Sequence, residues 1–247
     1  MDDNKIFQTF AEAISDIPDG ASVLLPGFGS GSPGNLVEAL YHHGAKNLTI
    51  IANGAGGQRQ TGNTPPARIS HGTLIEAGRV SKVIASFTAA THPSQLSAVE
   101  EMQKSGEIEA ELTPQGTLAE RIRAGGAGIP AFYTPASVGT ELAEGKEHRN
   151  FHGRTYVLEE AITADYAFLH AWKADTFGNL IFKRGQRNYN PIMATAARFV
   201  IAEVEEPIVP EGTFEPDQIH TSGIFVQRLV QIPPDGYLDS TRITNPR

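Results

Sequence analysis

Residues 19–33 read Asp19-Gly20-Ala21-Ser22-Val23-Leu24-Leu25-Pro26-Gly27-Phe28-Gly29-Ser30-Gly31-Ser32-Pro33. Ser22 to Leu25 form a short apolar run with the character of a buried strand, and the glycines after it make a turn. Ser32 then fits a helix N-cap and Pro33 the first helical position. Leu36, Val37, Leu40 and Tyr41 follow on one helical face over residues 34–43. Glycines at 27, 29 and 31 let backbone approach a ligand closely. The following helix N-terminus has unpaired N–H groups and a partial positive charge, suited to a phosphate, pyrophosphate or carboxylate. A tight turn with no ligand is the equal alternative, because glycine patterns of this kind are common.

Outward from this unit the alternation continues. Strands are expected at 48–52, 82–87 and 108–112, with helices at 5–15, 94–104 and 116–124. The second half is richer in strands, at 154–158, 166–172, 179–182, 199–204 and 224–230, with Asp175 to Asn179 as a turn. The pattern predicts an α/β fold with a largely parallel sheet and flanking helices. No clean linker interrupts it, so residues 1–232 are expected to form a single domain and 233–247 a mobile tail.

The chain has 247 residues, a formal net charge of −8 and no cysteine. The charge argues against non-specific binding to nucleic acid or an anionic membrane. The lack of cysteine removes disulfides, thiolate nucleophiles and Cys-ligated metals. No apolar run is long enough to cross a bilayer, and MDDNKIFQTF lacks the apolar core of a secretory signal. A cytoplasmic protein is the default expectation. A dinucleotide site is disfavoured: Gly27-x-Gly29-x-Gly31 is not G-x-G-x-x-G, and the strand near residue 50 ends in Ala52-Asn53 with no acid for a ribose.

Longer blocks add to this. Residues 114–130 (PQGTLAERIRAGGAGIP), 144–147, 153–159, 171–175 with 178–180, 187–191 and 217–226 stand in register with the glycine turn. Together they resemble the α (A) subunits of family I coenzyme A transferases that act on 3-oxo acids, over about residues 5–230. The resemblance implies a CoA-transferase-like open α/β fold and a ping-pong exchange of CoA between two carboxylic acids. It implies a glutamyl-CoA thioester as the covalent intermediate. Coenzyme A would be a substrate, with no other cofactor and no metal. In that family the glutamate belongs to the β subunit. Here Glu76-Ala77-Gly78, Glu144-Gly145 and Glu211-Gly212 are poor matches to its context, so no catalytic residue is assigned to this chain. A β subunit is the expected partner, as αβ or α2β2.

By resemblance the residues binding CoA or substrate are Gly27, Phe28, Gly29, Ser30, Gly31, Asn53, Gln115 and Gly116. Helix capping is the alternative for Gln115-Gly116. The family pattern is broken by Pro26, by a turn one residue shorter, by Asn53-Gly54 in place of Asn-Asn, and at 56–66 and 88–93. These departures loosen the acceptor acid more than the subunit type. They keep open a thioester hydrolase or ring-opening enzyme on the same scaffold, and the missing nucleophile keeps open a non-catalytic ligand-binding protein. His148 and His152 are four apart but read as loop and strand rather than a metal pair. Glu159-Glu160 would point to opposite faces of a strand. Lys183, Arg184, Arg187 and Arg198 could meet CoA phosphates or be ordinary surface charge.

Overall fold

The computed structural model describes residues 4–27, 31–55, 69–89 and 96–233. Phe28, Gly29, Ser30, the 56–66 segment, residues 90–93 and the tail from 234 lie outside the described residues. In chain order the elements are β1 (Ile6–Phe7), α1 (Phe10–Ala13), β2 (Ser22–Leu25), α2 (Gly34–His43), β3 (Leu48–Gly54), α3 (His71–Glu76), β4 (Val80–Phe87), α4 (Ala98–Ser105), β5 (Glu109–Leu112) and α5 (Gln115–Gly126). They continue with β6 (Ala131–Thr134), β7 (His148–Phe151), β8 (Arg154–Glu160), β9 (Ala164–Ala171), β10 (Lys173–Ala174), β11 (Leu180–Ile181), α6 (Asn190–Thr195), β12 (Ala197–Val204) and β13 (Arg228–Gln231).

Eight strands form one sheet in the order β1-β13-β12-β9-β2-β3-β4-β5. Every neighbouring pair is parallel. The reason lies in the strands' composition. Central parallel strands bury both faces, so β2, β3 and β9 read as near-continuous apolar runs whose side chains alternate between two layers, whereas the edge strand β5 (Glu-Ala-Glu-Leu) does not. Val23, Leu25, Ile50, Val83, Phe168 and Ile201 pack with Leu36 and Leu40 of α2, Leu74 of α3 and Val99 of α4. Leu24, Ile51, Ile84, Ala167, Leu169 and Val200 pack on the other side with Leu118 and Ile122 of α5 and Met193 of α6. At ~25 cal/mol per Å² of apolar surface, such two-sided burial is the main stabilising term.

The expected strands at 22–25, 48–52, 82–87 and 199–204 and the helix at 34–43 are present. Residues 5–15 are not one helix. Ile6–Phe7 pair with Leu229 and Val230 at the sheet edge, and only one turn of helix, capped by Thr9, follows. The expected strand over 224–230 begins as a 3-10 turn at Gly223–Phe225, with pairing only from Arg228. Strands β6, β8 and β7 form a separate antiparallel sheet between α5 and β9. The Asp175 turn is as expected: its Oδ1 accepts from the N–H groups of Gly178 and Asn179 at 3.1 and 2.9 Å.

Candidate functional site

From β2 the sheet grows through β3, β4 and β5 in one direction, and from β9 through β12 and β13 in the other. The β2/β9 boundary is therefore a topological switch point. In open α/β sheets the place outside the carboxyl ends of the strands at such a boundary is where ligands bind. The carboxyl end of β2 lies at this boundary, and two clusters stand near it.

The first lies on the α5 and α6 side. Asn53, near the end of β3, is buried. Gln115, the first residue of α5, donates from Nε2 to Asn53 Oδ1 at 2.6 Å. The Tyr189 hydroxyl reaches Asn53 Oδ1 at 3.4 Å and the Gln115 carbonyl at 3.3 Å. Burial pushes the Tyr189 phenol up from its ordinary value, so it stays neutral and can donate. With Oδ1 engaged, the Asn53 carboxamide has its NH2 group to offer a ligand oxygen. Two of the residues taken from sequence, 62 positions apart, thus meet. Among the described residues, no carboxylate hydrogen-bonds to any of the three.

Tyr189 is not among the residues expected from sequence, although Tyr189-Asn190-Pro191 belongs to one of the family-like blocks. The available signal is Pro191 just inside a helix start, which places Tyr189 at the N-cap of α6. His71, the first residue of α3, is likewise absent from the expected set. A Cβ on Gly27 would lie 3.6 Å from its ring. Burial lowers the His71 pKa, opposed by a hydrogen bond with the Gly54 backbone, so the imidazole is neutral at pH 7.

The second cluster lies under α2 and corrects the sequence reading. Ser32 is not the N-cap. Pro33 occupies that place and offers no side-chain bond. The helix is capped instead by Glu203 of β12, whose Oε2 accepts from the N–H groups of Asn35 and Leu36, each at 3.0 Å. The carboxylate that suits this N-terminus comes from the chain itself, so the start of α2 is not an open anion site. Glu203 is completely buried. Its Oε1 faces His170 Nδ1 at 2.7 Å, and Glu205 Oε1 faces His170 Nε2 at 2.9 Å. Burial works against the imidazolium, but hydrogen bonds and charge from Glu203 and Glu205 outweigh it. They push His170 up to about 9, charged at neutral pH.

The predicted glycines separate by role. Gly31 has φ +86°, and an added Cβ would lie 2.4 Å from the Gln186 carbonyl oxygen. Its glycine is required by packing against the backbone of Gln186. Asn190 Nδ2 donates to the Gly31 carbonyl at 3.2 Å, and Asn190 Oδ1 accepts from the His170 N–H at 3.0 Å. Gly116, in contrast, is exposed, and a Cβ there would meet nothing within 4 Å. No packing explains a glycine in the first turn of α5, where glycine costs ~1 kcal/mol relative to alanine.

The other charged candidates do not join the site. Glu159 is buried and bonded by Lys146 at 2.7 Å, whereas Glu160 is exposed. His148 lies on an exposed strand and His152 in the turn that follows, at φ +52°. Arg198 begins β12, at the amino end of the sheet, away from Lys183, Arg184 and Arg187. The basic patch considered from sequence is therefore split.

The fold and the paired clusters define an open α/β protein whose sheet reverses its strand order between β2 and β9. The sequence pattern of the family described as Coenzyme A transferase matches residues 7–231, and the chain belongs to that family. Over 227 residues it is 44% identical to the A chain of the succinyl-CoA:3-ketoacid coenzyme A transferase of Helicobacter pylori strain J99, covering 92% of this chain and 91% of that one. Over 230 residues it is 44% identical to the A chain of the 3-oxoadipate CoA-transferase of Pseudomonas putida, covering 93% and 94%. Its fold is similar to that of an acyl-CoA transferase from Escherichia coli O157:H7, with TM-score 0.77 and 21% identity. That comparison covers 96% of this chain but 48% of the longer one.

Proposed function

We propose that this chain is the α (A) subunit of a two-chain cytoplasmic CoA transferase that moves CoA from succinyl-CoA or another acyl-CoA to a 3-oxo acid such as acetoacetate or 3-oxoadipate. The observation that carries the reading is the meeting of Asn53, Gln115 and Tyr189 near the carboxyl end of β3, with no carboxylate among their described partners. Among its described residues the site has donors for a carbonyl or carboxylate oxygen, and the attacking carboxylate would come from the partner chain. The near-full-length similarity to the A chains of two such transferases supports the same division of labour.

In the proposed route a glutamate supplied by the β subunit makes the attack on the thioester carbonyl. The tetrahedral oxyanion collapses to an acyl-glutamyl anhydride and expels CoA thiolate. The thiolate attacks the glutamyl carbonyl, releasing the first acid as its carboxylate and leaving a glutamyl-CoA thioester. The acceptor acid then runs these steps in reverse, so no net proton, oxidant or further cofactor is needed. Asn53 NH2 and the N–H groups opening α5 would stabilise the developing oxyanion.

The test is to co-express the chain with its β partner and follow CoA transfer from succinyl-CoA to acetoacetate and to 3-oxoadipate. Exchange with either supports the reading. A well-formed complex that transfers CoA to no 3-oxo acid would sink the substrate assignment. Acyl-CoA hydrolysis without an acceptor would favour a hydrolase on the same scaffold.

A further inference from the structure

Strands β6, β8 and β7 break the usual pattern of a small antiparallel sheet. Such a sheet with one solvated face alternates apolar side chains inward and polar ones outward. Here the face with Val157 and Glu159 is buried and turns toward Arg121 of α5. The outer face should then be polar. Instead β8 places Tyr156 and Leu158 there, with Tyr133 of β6 paired to Leu158 and Phe151 of β7 paired to Arg154. Tyr133, Phe151, Tyr156 and Leu158 are only half-buried. The Phe151 ring meets Tyr133 and Tyr156 edge-on, at centroid distances of 5.3 and 5.5 Å. Arg149 lies over the rings of Tyr133 and Phe151, and Arg154 over that of Tyr156. The Tyr133 hydroxyl donates to Glu147. All these contacts stay within the sheet. Tyrosine, phenylalanine and arginine are among the residues that protein interfaces enrich.

The charges on this face are sorted along the strands. On β8, Glu160 stands at one end and Arg154 at the other, with Glu147 beside Leu158 and Arg149 opposite Tyr156. Both acids thus lie toward one end and both arginines toward the other. A two-fold axis through the middle, near Tyr156 and Leu158, sets the acidic end of one copy on the basic end of another. The chain as a whole carries −8, but this face balances two acids with two arginines, so two copies are not driven apart here.

We propose that the outer face of β6, β8 and β7 is a docking surface for a second copy of this chain, in an isologous contact. The inference extends the proposed function by joining two two-chain units as α2β2, and the contact itself does not depend on the activity. Three strands about 4.8 Å apart, the longest of seven residues at ~3.4 Å each, give a footprint well below the roughly 800 Å² per partner of a standard interface. The association is therefore reversible on dilution.

The test uses the assembled two-chain enzyme and follows its mass by sedimentation velocity over a dilution series. Three forms are compared: wild type, R149E/R154E and E147R/E160R. Wild type is expected to pass from one two-chain unit to twice that mass as concentration rises, and less readily in high salt. Each variant carries four like charges on this face and should associate at least about 10-fold more weakly. Mixed in equal amounts, the two variants set acids against arginines at both ends, and association should recover. That recovery requires this face to meet its own copy. Wild type that stays one unit at every concentration would overturn the proposal, as would variants that associate as wild type does, or a mixture that recovers nothing. Loss of the two-chain unit itself in either variant would give this face to the β subunit and would also overturn it. If a double variant does not fold, R154E and E160R, both at exposed positions, decide it by the same mixing. A wild-type complex that transfers no CoA would remove the proposed function, while the mass measurement would still decide the docking.

Discussion

Glu203 accepts hydrogen bonds from both the backbone and the side chain of Asn35, at 3.0 and 3.3 Å, across 168 positions of sequence. The start of the second helix is thus built by the penultimate residue of a strand from the other half of the sheet. Removing this carboxylate leaves helix donors without a cap and His170 with one partner fewer. E203A is expected to destabilise the protein by about 3–5 kcal/mol, the range for breaking a buried pair. E203Q should cost less. Chemical denaturation midpoints check both, and an E203A loss under about 1 kcal/mol, the scale of an ordinary exposed cap, would contradict it.

His170 sets a pH dependence. Its folded pKa is raised to about 9, against the ordinary 6.5 of an unfolded histidine. The folded state therefore holds its proton more tightly. The stabilisation is fully present below about pH 6.5 and is lost as pH rises through about 9. Thermal melts from about pH 6 to 10 should show a decline over that window, and H170Q should flatten it. An H170Q decline equal to that of wild type would exclude His170 as its source.

Gly31 and Gly116 are expected to respond in opposite ways. G31A adds a Cβ at 2.4 Å from a backbone oxygen in a left-handed conformation, so it should lower stability by a few kcal/mol. G116A faces open space in a helix and should raise stability by about 0.5–1 kcal/mol. Its methyl group stands beside Gln115, so CoA transfer should fall although the fold gains. Unchanged transfer in G116A would show that neither substrate nor partner approaches that surface.

The contrast between these glycines also marks what the sequence could disclose. Local periodicity places β2 at its observed ends and the body of α2 correctly, because Val23 to Leu25 and Leu36 to Leu40 carry the burial pattern themselves, although Pro33 caps α2 instead of opening it. Asn53 and Gln115 are legible through the family-like blocks, and the structure brings them together. The cap on α2 is not legible. Ser32 satisfies every local rule for a cap, yet Glu203, distant in sequence, holds the N–H groups. Ile6–Phe7 escape the local reading for a similar reason, since pairing with β13 overrides a helical spacing of Ile6, Phe10 and Ile14. Gly31 looks like a ligand glycine because spacing cannot distinguish a bound ligand from the Gln186 backbone.

Tyr189 offers the sharpest check on the Asn53 cluster. Its hydroxyl touches both Asn53 and the Gln115 carbonyl, so Y189F removes one oxygen while keeping the ring packed under α5. Both bonds are long, at 3.4 and 3.3 Å, and the ring itself is buried, so the stability loss should stay near ~1 kcal/mol. The effect on chemistry should be larger. Without the hydroxyl, only Gln115 Nε2 orients the Asn53 carboxamide, which can then turn its oxygen toward the ligand in place of its NH2. An acceptor facing a developing oxyanion repels it. The turnover number of the two-chain enzyme is therefore expected to fall by about 10- to 100-fold with a smaller change in KM, since the lost interaction belongs to the transition state. A fall confined to KM would place the three side chains in ground-state binding instead.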